Sequence, residues 1–172
     1  RLFFPFSFGP FLGFWTAFEA ANRAGFFAVP GGGMTSTARL RFLLDHRCTV
    51  VFATPTYALH LAELAAKERI DLASSDVRAV VVAGEPGGSI PATRRRIEEV
   101  WGARVFDHYG MTEVGPVAVE CAADPGSMLV LESEYLAEVL DPHGDAPTPP
   151  GEYGELVLPN LGRVGSPLVR YR

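Results

Sequence analysis

The chain has 172 residues, of which 48% are hydrophobic and 20% charged, and its formal net charge is −5 at pH 7. This composition allows a buried core in one domain or slightly more, and its mild acidity disfavours nucleic acid as a partner. Two cysteines, Cys48 and Cys121, are too few for a disulfide scaffold or a zinc cluster and fit a reducing, cytoplasmic setting.

The first segment, Leu2 to Phe18, is uncharged and rich in phenylalanine. A membrane span needs about 20 consecutive apolar residues, whereas Pro5, Gly9 and Pro10 interrupt this stretch. It also lacks the basic start and the cleavage site of a signal peptide. We therefore predict an aromatic loop that leads into a buried helix, and no membrane association.

Helical and strand patterns then alternate, with Ser, Thr, Pro and Gly at the positions where helices begin and end. In chain order the predicted elements are a helix at 11–24, a strand at 26–29, a helix from the Thr35 cap to 47, a strand at 49–53, a helix from the Thr54 cap to 68, a strand at 77–84, a helix from Ser89 to Gly102 and a strand at 103–110. The alternation predicts a mostly parallel sheet with flanking helices.

After Gly115 the pattern changes to short apolar runs separated by turns rich in Pro, Gly and Asp. The predicted strands of this part are 117–121, 127–132, 135–141, 154–159 and 167–172. We therefore predict an α/β fold in two parts, an α/β subdomain at 1–115 and a smaller β-rich, barrel-like subdomain at 116–172.

Polar segments follow three predicted strands: Thr54–Tyr57, Gly84–Gly88 and His108–Glu113. In a parallel sheet with right-handed crossovers these strand ends lie on one edge, which is where ligands bind. Each segment alone also fits an ordinary cap, turn or solvated loop. The chain has neither a G-x-G-x-x-G nor a G-x-x-x-x-G-K-[ST] fingerprint, and no G-x-S-x-G elbow.

The segment "FDHYGMTEVG" resembles the Y-G-x-[ST]-E motif of the adenylate-forming enzymes, the acyl-CoA synthetase superfamily. The segments "TPTYAL", "VVVAGEP" and "GDAPTPPGEYGELVL" narrow this to a resemblance to the phenylacetate–CoA ligase family, whose motifs come in the same order. The resemblance covers nearly the whole chain and corresponds to an internal fragment of the family's large N-terminal domain.

The resemblance implies that a carboxylate attacks the α-phosphate of ATP in the presence of Mg²⁺, and that coenzyme A then accepts the acyl group. It implies that Thr112 donates to the phosphate and that Glu113 is catalytic and holds Mg²⁺. Tyr57 and Phe8, with Phe6, would line the pocket for an aryl or arylacetic acid. The residues it assigns to ATP or AMP are Gly84, Glu85, Pro86, Asp107, His108, Tyr109, Gly110 and Met111.

Three motifs of the family are missing from the sequence: the phosphate loop, the Thr-Gly-Asp that would follow Tyr171-Arg172, and the catalytic lysine. Lys67, the only lysine, lies in a predicted helix and does not replace it. We therefore expect this piece alone to be inactive. The expected partners are a small carboxylic acid, ATP and coenzyme A, with a homodimer as one alternative for the oligomeric state.

Three other functions stay open. An adenylate-forming enzyme could use an amine or a deazaflavin instead of coenzyme A as the acceptor. A non-catalytic nucleotide-binding module could retain the adenine pocket without chemistry. An unrelated doubly wound enzyme, such as a sugar transferase, would show no preference for an adenylate.

Overall fold

The computed structural model describes residues 1–10 and 12–172, and within them four α-helices alternate with the strands of one large sheet. The elements are β1 (Leu2–Phe4), α1 (Leu12–Arg23), β2 (Ala28–Pro30), α2 (Ser36–Asp45), β3 (Val50–Ala53), α3 (Pro55–Lys67), β4 (Ala79–Val82), α4 (Pro91–Trp101), β5 (Arg104–Met111), β6 (Gly115–Glu120), β7 (Met128–Val130), β8 (Glu138–Leu140) and β9 (Glu155–Val157), with a 3₁₀ turn at Leu72–Ser74. The start predicted for the first helix, Phe11, lies outside the described residues.

The large sheet has the order β2-β1-β3-β4-β5-β6-β7. Neighbours from β2 to β5 pair in parallel, whereas β5–β6 and β6–β7 pair antiparallel. The strands β8 and β9 form a separate antiparallel pair. The predicted α/β class, a mostly parallel sheet with flanking helices followed by a smaller β-rich part, is confirmed.

Hydrophobic side chains cover both faces of the sheet because successive residues of a strand point to opposite sides. Val51 lies in the core that α2, α3 and α4 cover, while its neighbour Phe52 stacks on Phe4 on the side of α1, with ring centroids 4.5 Å apart. Trp101 of α4 is fully buried in the core that α2, α3 and α4 cover, and its indole Nε1 donates a 3.1 Å hydrogen bond to the carbonyl of Ala58.

Local signals set the helix ends where the sequence predicts them. The hydroxyls of Thr35 and Thr54 accept from the main-chain N–H groups of Ala38 and Tyr57, each at 3.2 Å, so both caps are confirmed. Gly102 ends α4 with a φ of 57°. The helix α4 instead begins after Ile90, whose side chain makes no cap bond, so the prediction that Ser89 opens it is wrong.

The aromatic opening of the chain contains a strand that the sequence analysis missed. Leu2–Phe4 forms β1 between β2 and β3, and Phe3 and Phe4 are fully buried on opposite faces. Three residues directly before Pro5 give too short a run for a period-2 pattern. The next strand lies at Ala28–Pro30 rather than 26–29, which leaves the side chains of Phe26 and Phe27 exposed.

The carboxyl-terminal part has less strand than predicted. The last predicted strand, 167–172, forms only a single bridge between Tyr171 and Leu158. Val114, Val117 and Tyr135 form a second buried cluster beneath the β5–β6 hairpin.

Within residues 1–10 and 12–172, none of the helices has the length and apolar character needed to cross a membrane.

We predict that Trp101→Phe lowers the free energy of unfolding by about 2 to 3 kcal/mol, because it removes a buried hydrogen bond and leaves a cavity. Trp15→Phe is the matched control, since Trp15 also donates to a carbonyl, that of Gly9, but is 42% exposed. Urea unfolding followed by circular dichroism would measure both, and equal losses would contradict the packing described above.

Candidate functional site

The carboxyl ends of β3, β4 and β5 lie side by side. Ala53 pairs with Val82, and Val82 pairs with Asp107, so the three strands reach the same level of the sheet. The segments that follow them, Thr54–Tyr57 and Gly84–Gly88, therefore start from one edge together with the second half of β5. This is the convergence that the sequence predicts.

The loop Gly84–Gly88 packs directly on its two neighbours because it contains glycine at the contact points. A Cβ atom at Gly87 would lie 2.4 Å from the Cβ of Pro55, and one at Gly88 would lie 2.5 Å from the Cγ of Asp107. Neither distance is sterically allowed. The glycines thus bring the loop against the start of α3 on one side and against β5 on the other.

The carboxylate of Glu85 is hydrogen-bonded to the first turn of α3. It accepts hydrogen bonds from the main-chain N–H of Thr56 at 2.7 Å and from the Thr56 hydroxyl at 2.5 Å. These bonds outweigh partial burial and hold the pKa of Glu85 below its usual value. The Glu85 side chain is therefore already hydrogen-bonded within the protein. Gly84 and Pro86 are exposed, so this loop presents mainly its backbone to a ligand.

Arg94 of α4 forms hydrogen bonds to the glycine loop, to β5 and to β6. Its Nε donates to the carbonyl of Gly88 at 2.7 Å, its Nη1 to the carbonyl of Val105 at 3.0 Å, and its Nη2 to Glu120 at 2.5 Å. One guanidinium therefore fixes the end of the glycine loop, the strand β5 and the strand β6.

Glu120 completes this network from β6, with a side chain that is 2% exposed. Its carboxylate accepts from Arg94 and from the main-chain N–H groups of Asp107, at 2.6 Å, and Gly126, at 2.9 Å. Burial alone raises the pKa of Glu120, but these hydrogen bonds outweigh it and the pKa lies below the usual value. The charge is kept because every bond it accepts favours the ionised form.

The sequence analysis did not predict a role for Arg94 or Glu120, the two residues of this ion pair. In the sequence Arg94 stands in a basic run, Arg94-Arg95-Arg96, which does not indicate a carboxylate partner. Its spacing carried a usable signal, because Arg94, Ile97 and Trp101 recur at i, i+3 and i+7 and therefore share one helix face. Ile97 and Trp101 are fully buried, so the same face directs Arg94 inward.

The second half of β5 carries the other residues predicted to contact the nucleotide, beside Gly84–Pro86. His108 and Tyr109 pair with β6, and the register shifts between Tyr109 and Gly110. Burial lowers the pKa of His108, although the charge of Asp107 opposes this shift, and the lowered pKa favours the neutral imidazole. Tyr109 is 39% exposed, and burial together with Tyr171 raises its pKa.

Thr112 and Glu113 lie at the tip of the β5–β6 hairpin, where Met111 pairs with Gly115, and both are exposed. The guanidinium of Arg163 donates to the main-chain carbonyls of both residues.

The carbonyl of Val114 next to them accepts from the Tyr135 hydroxyl at 2.6 Å and from the Asn160 amide at 2.8 Å. The hairpin tip is thus held by its main chain while its polar side chains face outward. No local pattern in the sequence indicates these three supporting residues, Tyr135, Asn160 and Arg163.

Tyr57 and Phe8 line one cleft of about 260 Å³. The remaining lining residues are Pro5, Phe6, Ser7, Phe14, Arg39 and Thr54. Phe6 stacks on Phe14 with ring centroids 3.9 Å apart, and Phe8 meets Phe6 edge to face. The cleft adjoins the candidate edge through Thr54, the cap of α3. The structure therefore brings the two predicted acid-contacting residues together beside the predicted nucleotide segments.

A family model described as "AMP-binding enzyme" matches residues 2–162. The chain is 31% identical to a phenylacetate-coenzyme A ligase of Pseudomonas putida over 169 residues, which are 97% of this chain and 38% of that protein. A phenylacetate-coenzyme A ligase of Escherichia coli is also 31% identical, over 170 residues, 97% of this chain and 38% of that protein.

Among solved structures, an open conformation of 2-hydroxyisobutyryl-CoA ligase in complex with 2-HIB-AMP and CoA superposes with a TM-score of 0.92 at 29% identity. The match covers 98% of this chain and 40% of that one. The chain thus spans about 40% of the length of the proteins it resembles.

We predict that Arg94→Gln lowers the free energy of unfolding by about 3 kcal/mol, because it leaves Glu120 buried without its cationic partner. Arg95→Gln on the same helix is the matched control, since Arg95 is exposed, and we expect a change within about 0.5 kcal/mol. Chemical unfolding of both variants measures the difference. A loss for Arg94→Gln no larger than for the control would remove the proposed role of this pair.

The lowered pKa of Glu85 predicts a pH-dependent contribution to stability. Its carboxylate stabilises the fold fully above the ordinary glutamate pKa of about 4.3 and loses this effect as the pH falls through the lower folded pKa. Glu85→Gln should therefore cost about 1 kcal/mol at neutral pH, given its partial exposure, and nothing at the acidic end.

Urea unfolding of wild type and Glu85→Gln at a series of pH values tests this. Glu63→Gln, an exposed change in the middle of α3, is the control. A cost for Glu85→Gln that does not change with pH would show that the ionised carboxylate contributes nothing.

Proposed function

Because this chain belongs to the AMP-binding enzyme family, we propose that the protein carrying it activates an aryl or arylacetic acid as an acyl-adenylate and transfers the acyl group to coenzyme A. The similarity to the phenylacetate-coenzyme A ligases and to the ligase bound to 2-HIB-AMP and CoA supports this choice of reaction. The alignment of the ends of β3, β4 and β5 is the observation that carries it.

The nucleotide would lie across this edge. The exposed backbone of Gly84–Pro86 offers a flat surface on one side, and the half-exposed ring of Tyr109 offers another. Asp107 already accepts the main-chain N–H of His108 through Oδ1 at 2.9 Å, and its second oxygen would accept from the adenine amino group. Gly110 and Met111 continue the strand toward the phosphates.

The hairpin tip would face the phosphates. The Thr112 hydroxyl would donate to a phosphate oxygen, and the exposed carboxylate of Glu113 would hold Mg²⁺. Among residues 1–10 and 12–172 no cluster of three or more His, Cys, Asp or Glu side chains forms a metal site. This fits Mg²⁺, which one or two carboxylates and the nucleotide phosphates commonly hold together. When bound, Mg²⁺ supplies positive charge against the phosphate oxygens.

The acid would occupy the cleft of Tyr57 and Phe8, with its carboxylate toward the nucleotide edge. Stacked aromatic walls exclude water from the apolar body of the acid, and the polar groups at the nearby strand ends orient its carboxylate. Attack by this carboxylate on the α-phosphate forms the acyl–phosphate bond and releases pyrophosphate. Coenzyme A then displaces AMP.

A cytoplasmic location is part of the proposal, and the two free thiols, Cys48 and Cys121, support it. The homodimer stays a prediction, which the mass of the protein in solution would test.

We predict that the intact protein that carries this chain exchanges labelled pyrophosphate into ATP only when a suitable carboxylic acid and Mg²⁺ are present. Acid activation is reversible up to the adenylate, so exchange reports that step alone. Folded protein that shows no exchange with a broad panel of aryl and aliphatic acids would rule the proposed reaction out.

Glu113→Gln should lower the exchange rate by about 100-fold or more, since even groups that only support a metal ligand contribute 10- to 100-fold. Glu132→Gln is the matched control, because Glu132 is an exposed carboxylate like Glu113 but has no predicted role. Unfolding curves of both variants should match wild type. Exchange at the wild-type rate by Glu113→Gln at all Mg²⁺ concentrations would remove Glu113 from the metal site.

A further inference from the structure

Arg39 is a buried cation on the wall of the aromatic cleft. It lies on α2, is 8% exposed and lines the cleft with Tyr57 and Phe8. Its Nε donates to the carbonyl of Gly31 at 2.8 Å and its Nη1 to the hydroxyl of Tyr57 at 2.9 Å, while Nη2 lies 3.5 Å from the hydroxyl of Ser7. All three acceptors are neutral oxygens.

The positive charge of Arg39 has no acidic partner in the part of the chain that the structure describes. None of the carboxylates there lies within ion-pair distance of Arg39. Arg94, the other largely buried arginine, differs because Glu120 accepts its Nη2 at 2.5 Å. A buried charge is costly unless an opposite charge or a full set of hydrogen bonds compensates it.

The guanidinium of this cleft-lining residue also retains N–H donors that the contacts above do not use. An arginine side chain has five N–H donors, and the contacts above use three of them, the one to Ser7 being long. The Tyr57 hydroxyl is held in place on its other side by the Ser36 hydroxyl at 3.0 Å. The aromatic walls, Phe6, Phe8 and Phe14, provide no acceptor of comparable strength. The cleft therefore combines an apolar body with one fixed cationic donor.

We propose that the acid bound in this cleft carries a second carboxylate, remote from the one that is activated, and that Arg39 binds it. This inference rests on the function proposed above and narrows its substrate to an aryl dicarboxylic acid. A guanidinium matches a carboxylate with two parallel hydrogen bonds, which are strengthened by the charges. The cleft, about 260 Å³, exceeds the roughly 150 Å³ that accommodates a benzene ring, so the aryl body fits between the phenylalanines.

The affinity of the intact protein for a dicarboxylic acid and for a matched monocarboxylic acid tests this substrate class. Calorimetric titration would compare para-phenylenediacetate with para-ethylphenylacetate, which has the same shape but lacks the second carboxylate. We expect wild type to bind the dicarboxylate at least about tenfold more tightly, the lower range for a hydrogen bond between charged groups. Arg39→Gln should remove this preference while retaining affinity for the monocarboxylate.

Arg41→Gln is the matched control for the loss of one positive charge on the same helix. Arg41 lies on the exposed side, where it pairs with Glu68 at 3.3 Å, and we expect the preference to be unchanged. Should Arg39→Gln fail to fold, Tyr57→Phe retains the ring but removes the hydroxyl that holds Nη1, and the preference should fall severalfold.

Two results would overturn the inference. Equal affinity of wild type for both acids would show that the cleft offers no site for a second carboxylate. An equal loss of affinity for both acids in Arg39→Gln would assign Arg39 to the activated carboxylate or to the shape of the cleft.

Pyrophosphate exchange with the same two acids separates the two proposals. Exchange with both acids and no preference would overturn only the role of Arg39. No exchange with either acid or with the broad acid panel would overturn acid activation, and the binding preference would still decide the role of Arg39.

Discussion

The ion pair between Arg94 and Glu120 is the interaction on which the candidate site depends. It connects a helix, the glycine loop and two strands through a single guanidinium and a single carboxylate. Elements that belong to one rigid network keep their relative positions without a ligand, and such preorganisation lets a site stabilise charge without further rearrangement. The groups at the edge that we propose for ligand contacts, such as Tyr109 and Glu113, are exposed, while this network holds the backbone of the neighbouring elements.

The two buried arginines represent opposite solutions to the same physical problem. Arg94 has its counter-charge within the fold, and Glu120 in turn accepts hydrogen bonds from Arg94 and from two main-chain N–H groups. Among residues 1–10 and 12–172, Arg39 has neutral oxygens as its hydrogen-bond acceptors and the Tyr57 ring 5.5 Å from its guanidinium carbon, and it lies at the wall of a cleft. A protein can retain an uncompensated buried charge when a ligand supplies the missing partner, since strained or costly features concentrate at functional sites. The contrast distinguishes the structural support given by Arg94 from the ligand recognition that we propose for Arg39.

Features that depend on neighbours in sequence were predictable. Thr35 and Thr54 cap their helices as expected, and the strands that precede the polar segments were found because they are short, apolar and β-branched. The family followed from four motifs in the expected order. Features that depend on distant partners were not predictable. Leu2–Phe4 becomes a strand only because β2 and β3 flank it.

The sequence by itself determined the alternation of helices and strands, the class of the fold, the family and the identity of the polar segments at the strand ends. The reason is that caps, periodicity and motifs are encoded within a few consecutive residues. Only the tertiary structure decided that Glu85 binds Thr56, that Arg94 has a carboxylate partner and that Arg39 has none within the part of the chain that the structure describes. Burial and pairing arise from segments far apart in the chain, so no local pattern contains them.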